Sequence, residues 1–174
     1  REAAVAVAKG AADLAIVAGQ VIPEELDVLA LYRDELVLIA SPLLGPRREG
    51  PVRLAELLDN TPFVGLNQHN SIQHFLDNIA RQLGKRINLP IQVGSFDAVC
   101  RMVEAGAGVA VVPLICAQQY GPGRLRLTPL DEPWARRDIS LLRLRSHTLP
   151  GSSELLIQHL RDQVRALVGE GSGV

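Results

Sequence analysis

The 174-residue sequence predicts an α/β fold in which strands and helices alternate and the sheets are largely parallel. Three observations carry this. First, Gly94 to Pro113 reads as loop, helix, tight turn and buried strand. Ser95 can cap a helix, and Phe96, Val99, Cys100 and Val103 recur at helical spacing. Gly106 and Gly108 supply the backbone freedom of a helix-to-strand reversal. The apolar run Val109 to Val112, stopped by Pro113, suits a parallel strand buried on both faces. Second, a strand over Pro62 to Leu66 leads into a helix capped by Asn70 or Ser71 and closed by Gly84. Ile72, Phe75, Leu76, Ile79 and Leu83 form its apolar face. Third, the composition is 47% hydrophobic but only 3% aromatic, so the core is aliphatic and suits one domain or two small subdomains.

The remaining elements follow in order. The alanine-rich start is a helix ended by Gly10, and Leu14 to Val17 is a buried strand. Gly19 to Asp27 is loop. Val28 to Tyr32 and Leu36 to Ala40 are strands on either side of the polar Arg33-Asp34-Glu35. Pro42, Gly45, Pro46, Gly50 and Pro51 mark a surface excursion. Leu54, Leu57 and Leu58 belong to a short helix, and Ile91 to Val93 is a strand. Leu114 to Tyr120 is helical until Gly121-Pro122-Gly123 breaks it. Arg124 to Leu127 and Ile139 to Arg145 are strands. Glu154 to Val168 is an amphipathic helix on Leu156, Leu160, Val164 and Leu167, and Gly169 to Val174 is a frayed end.

Three segments together resemble one family. The stretch from Ser95-Phe96 through Ala105-Gly106-Ala107-Gly108 to Pro113 is similar to a helix opened by serine and a large hydrophobic residue and ended by AGxGxxxxP. Gly10-Ala11-Ala12-Asp13-Leu14-Ala15-Ile16-Val17 resembles a G-x-x-D-[LI]-[AG]-[IVL] strand. Asp34 to Pro42 is similar to a strand that crosses between subdomains. All three, in this order, resemble the effector-binding domain of LysR-type transcriptional regulators. The resemblance implies two Rossmann-like subdomains of the type 2 periplasmic-binding-protein kind joined by two crossing strands. Residues 42–138 would form the second subdomain, and residues 1–41 with 139–174 the first. In the family a winged helix-turn-helix and an opening strand, helix and strand come earlier. They have no counterpart after Arg1, so the chain is expected to be an N-terminally truncated piece with an incomplete first subdomain.

Charge and motifs exclude several functions. Eighteen Lys and Arg against 19 Asp and Glu leave a formal net charge of -1, unlike a nucleic-acid-binding domain. No apolar stretch is long enough to cross a membrane. Cys100 and Cys116 are too few for a disulfide framework and read as reduced thiols. His69, His74, His147 and His159 do not stand at metal-ligand spacing, so no metal site is expected. There is no nucleophile elbow, no phosphate-binding loop and no carboxylate pair set for acid–base work, so neither catalysis nor a cofactor is expected. Asp97 and Arg101, at i, i+4, read as a surface pair. Arg124 and Arg126, like Arg143 and Arg145, read as solvated strand faces.

What remains is a cleft. Gly65 to Ser71 and Gly94 to Phe96 each join a strand to a helix, and two helix N-termini with free N–H groups favour a small anion. Asn67, Gln68, Ser71 and Ser95 add hydrogen-bonding groups and Phe96 an apolar wall. Equally, these residues can serve only as caps. The resemblance implies that Ser95 and Phe96 border an effector, and that Ala18, Gly19 and Gln20 face the same inter-subdomain cleft. It further implies a cytoplasmic homodimer or homotetramer that binds promoter DNA through the missing N-terminal domain and responds to a small-molecule effector. A solute-binding protein of a transport system is the alternative.

Overall fold

The computed structural model describes residues 2–19, 22–43, 50–146 and 148–168. Gln20, Gly45, Pro46, His147, the side chain of Leu167 and the tail from Gly169 lie outside the described residues. The chain divides into two compact units, residues 1–34 with 136–174 and residues 35–135. The divisions fall earlier than the 41/42 and 138/139 expected. A single strand, β2 (Leu26–Ala40), replaces the two predicted strands and runs unbroken through Arg33-Asp34-Glu35. It begins in the first unit and ends in the second.

In the first unit α1 (Glu2–Ala8) precedes β1 (Leu14–Ala18). β1 pairs antiparallel with β7 (Arg136–Leu144), Leu14 opposite Arg143 and Ala18 opposite Ile139, and the strand order is β1-β7-β2. Alternation of side chains feeds two cores. Ala4 and Val7 of α1 pack with Ala15, Val17, Leu26 and Leu142. Leu141 packs with Leu149 and with Ile157 of α5 (Gly151–Val168), against Leu14, Leu29, Leu31 and Leu160. The inward row of α5 is Ile157 with the half-buried Leu160 and Val164, the i, i+3, i+7 spacing of one helix stripe. Leu156, expected inside, is adjacent to Ile157 and therefore about 100° round the helix, where it is 49% exposed.

The second unit holds β3 (Val64–Leu66), α2 (Ser71–Gln82), β4 (Ile91–Val93), α3 (Phe96–Glu104), β5 (Val109–Pro113), α4 (Leu114–Gln118) and β6 (Arg126–Pro129). Leu54–Glu56 forms one turn of 3-10 helix where a short helix was expected. β3 and β4 pair in parallel, Leu66 opposite Val93. β2 takes β5 and β6 as antiparallel partners, and a single parallel bridge, Phe63 to Val109, joins the β3 side to β5. β5 is buried at all five positions, as its apolar run predicts, but its long partner is antiparallel. The sheet is therefore mixed rather than largely parallel. Burial on both faces selects the same side chains for either strand direction. Leu36, Leu38 and Ala40 point into one core with Leu54, Phe63, Leu76 and Val111. Val37 and Ile39 point into the other, with Val64, Val99, Cys100, Val103 and Val112. On α2 the buried row is Gln73, Leu76 and Ala80, while Leu83, beyond the last helical residue, is 45% exposed.

Candidate functional site: two capped helix starts beside parallel strands

The parallel pair β3–β4 brings two strand-to-helix loops together. The Asn67 N–H donates to the Val93 carbonyl at 3.1 Å, so the loop after β3 lies against the end of β4. Asn70 caps α2, its Oδ1 accepting from the Ile72 N–H at 2.9 Å. Ser95 caps α3, its Oγ accepting from the Ala98 N–H at 3.2 Å. Both caps satisfy first-turn donors and leave other N–H groups of those turns facing outward. Asn67, Gln68, Ser71 and Ser95 are exposed, and Phe96 is half-buried against the second core. The structure thus gathers these five residues on one rim. Ala18 and Gly19 close β1 in the first unit, where the Gly19 N–H donates to the Asp138 carbonyl at 3.0 Å.

Two supports under the rim are absent from the sequence reading. Gln73, only 4% exposed, accepts from the Leu66 N–H at 3.3 Å and donates to Asp77 Oδ1 at 3.0 Å. It ties α2 to the end of β3 and fills the space that a Cβ on Gly65 would need. Its signal was a polar residue inside a row of apolar ones. The crevice lined by Gly65, Leu66, Ile72, Gln73 and Phe96 has a volume of about 10 Å³, room for one water-sized sphere. The crevice is therefore too small for a ligand of several heavy atoms.

The second support holds α3. Asp97 accepts from Arg101 Nε at 2.8 Å, the predicted surface pair, and also from the Tyr120 hydroxyl at 2.6 Å. Arg124 grips Glu104 at 2.6 and 2.8 Å and lies over the Tyr120 ring at 5.4 Å. The bond from Arg101, then that from Tyr120, holds the Asp97 carboxyl below its ordinary value. Burial, then the bond to Asp97, pushes Tyr120 up to about 12. Among the described residues no three of His, Cys, Asp and Glu converge as a metal site would require.

The model for the LysR substrate binding domain matches residues 1–165. The chain belongs to that family. It is an effector-binding domain of LysR-type transcriptional regulators, a family of regulators and not of enzymes. A protein of Synechocystis sp. named "Probable RuBisCO transcriptional regulator" is 30% identical over 149 residues, 82% of this chain and 43% of the relative. One of the same name from Cyanidioschyzon merolae is 31% identical over 67% of this chain and 40% of the relative. The chain thus spans less than half the length of these relatives. Among solved structures, the regulatory domain of Synechocystis CcmR in complex with 2-PG superposes with a TM-score of 0.71 at 18% identity, covering 92% of this chain and 77% of that one. The effector-binding domain of QuiR in complex with shikimate gives 0.65 at 18%, covering 93% and 76%. These neighbours share the periplasmic-binding-protein-like fold of LysR domains, so the expected fold class holds. The LysR assignment also disfavours the transport-system alternative. Among the described residues no helix is long and apolar enough to cross a membrane.

Proposed function

We propose that this LysR domain senses a small anionic metabolite, held by Asn67, Gln68, Ser71, Ser95 and Phe96 of the second unit; that Ala18, Gly19 and Gln20 also contact the effector rests on the family resemblance alone. The observation that carries the reading is the pair of capped helix starts side by side at the carboxyl ends of two parallel strands. Their outward N–H groups and positive helix ends favour negative charge. The Ser95 Oγ accepts the cap bond with its lone pair, which leaves its own hydrogen free to donate to a ligand. The ligands of the two structural neighbours, 2-PG and shikimate, are both acids, in keeping with such a site. In the complete regulator the effector shifts the populations of a homodimer or homotetramer that contacts promoter DNA through an N-terminal winged helix-turn-helix in the cytoplasm.

A thermal-shift screen of carboxylic and phosphorylated acids, including 2-phosphoglycolate and shikimate, tests this. A ligand at a hundred times its Kd adds about 2.7 kcal/mol to the folded state. For the acid so identified, Ser95→Ala should weaken binding about tenfold by titration calorimetry. Its lost cap should cost about 1 kcal/mol of stability. Phe96→Leu should weaken binding with a smaller change in melting. Normal affinity in both variants would show that the site lies elsewhere.

A further inference from the structure

A separate pocket opens at the far end of α2. Its volume is about 320 Å³, against about 10 Å³ for the crevice under the rim. Asp77, Ala80, Arg81, Lys85, Arg86 and Ile87 line it, and all of them lie in the second unit. α2 is 12 residues long, so about 18 Å of helix separates this pocket from Ser71 at the rim. Such a volume is at the lower end of what small-molecule sites occupy.

The pairing of the three cations sets the pocket apart. They are not needed to cap α2, because the carbonyls of Ile79, Ala80 and Arg81 already accept from the backbone N–H groups of Leu83, Gly84 and Lys85. Arg81 donates only to neutral acceptors, the Asn78 amide oxygen and, at 3.4 Å, the Asp77 carbonyl. Asp77, the carboxylate of the lining, accepts from Gln73. The Lys85 ammonium is fixed by Asp59 and by the Ala55 carbonyl at 3.0 Å, which leaves one of its three N–H donors over. Arg86 is exposed and makes no ion pair among the described residues. Beneath these charges Ala80 is buried and Ile87 half-buried, both packed into the first core of the unit, so the floor is apolar.

We propose that this pocket binds a phosphate monoester of a small organic molecule, at a site distinct from the effector rim. The two guanidiniums supply paired N–H donors and Lys85 a fixed point charge. A phosphate monoester offers three terminal oxygens and, above its second pKa of about 6, nearly two negative charges, enough to engage all three cations. A carboxylate offers two oxygens and one charge. The apolar floor of Ala80 and Ile87 takes the organic part, so neither a bare anion nor a neutral molecule uses the whole pocket.

Phenyl phosphate is the probe, with inorganic phosphate and phenol as its two halves, titrated into the purified chain at about pH 8 and followed by amide NMR. It should shift the amides of Gly84, Lys85, Arg86 and Ile87 and bind about fivefold or more tighter than inorganic phosphate, and phenol should bind more weakly still. Arg81→Gln and Arg86→Gln, both at exposed positions, should each weaken binding at these amides about threefold, and together about tenfold. Arg161→Gln removes an exposed charge from α5 in the first unit and should leave it unchanged. Equal weakening by Arg161→Gln and Arg86→Gln would mean that overall charge, not the pocket, attracts the anion, and the proposal would fall. Inorganic phosphate binding as tightly as phenyl phosphate would overturn the monoester class. Shifts confined to the amides of Ser95 to Ala98 would leave the effector rim as the phosphate site and this pocket empty of function.

Discussion

Tyr120 and Cys100 show how a single side chain reports its surroundings. The pKa of Tyr120, raised to about 12 from 10.0, means that folding favours the protonated phenol. The stabilisation is complete below pH 10 and is lost as pH rises from there towards 12. Tyr120→Phe should therefore flatten the alkaline limb of melting temperature against pH, as read by thermal melts between pH 8 and 12. Asp97 has the opposite sign. Its carboxyl is held low, so its contribution is present above the usual carboxylate value and is lost as pH falls through the lowered one. For Cys100, burial first, then Cys116 and Asp97, push the thiol up to about 11. Few thiolates form at pH 8, and the side chain is fully buried. A disulfide reagent should label the half-buried Cys116 in the folded protein and Cys100 only on unfolding, and Cys116→Ser should abolish the fast phase.

At the scale of the element, the turn between α3 and β5 depends on close approach. A Cβ on Gly108 would stand 2.5 Å from the Pro62 carbonyl oxygen, at a φ of 156°. That same oxygen accepts the Val109 N–H at 3.0 Å, so it cannot move away without breaking the link between β5 and the β3 side. Gly108→Ala should cost about 1–3 kcal/mol by urea denaturation. Gly84→Ala, in open space but at a φ of 69°, should cost about 1 kcal/mol. This turn was legible in the sequence because cap, apolar spacing and glycines are all local signals, and the same is true of the caps at Asn70 and Ser95. Strand direction was not legible, because the buried β5 looks alike in either pairing. Nor was the continuity of β2, since three consecutive charged residues read as a break until Asp34 is seen to meet Arg137. The contacts that escaped notice are those whose partners are remote: Asp34 and Arg137 are 103 positions apart. Gln73 bonds the backbone only seven positions away, but across an intervening loop.

For the whole molecule, a formal net charge of -1 and a pI near 6.5 leave little to attract a polyphosphate. The purified chain should elute from a heparin column below physiological salt, and DNA binding should appear, with steep salt dependence, only when the N-terminal part of a complete regulator is present. Retention of this chain at high salt would relocate the DNA contact. A last consequence follows from β2. Its 15 residues serve four separate cores: Leu26 enters one, Leu29 and Leu31 a second, Leu36, Leu38 and Ala40 a third, Val37 and Ile39 a fourth. A strand has a strict period of two, so one residue inserted between Leu31 and Leu36 would exchange every later side chain between opposite faces. Length here is thus quantised. Chain changes in steps of two keep the phase, whereas a single added residue acts as a frameshift written in space, leaving each unit locally intact in sequence while turning the hydrophobic pattern of the second inside out.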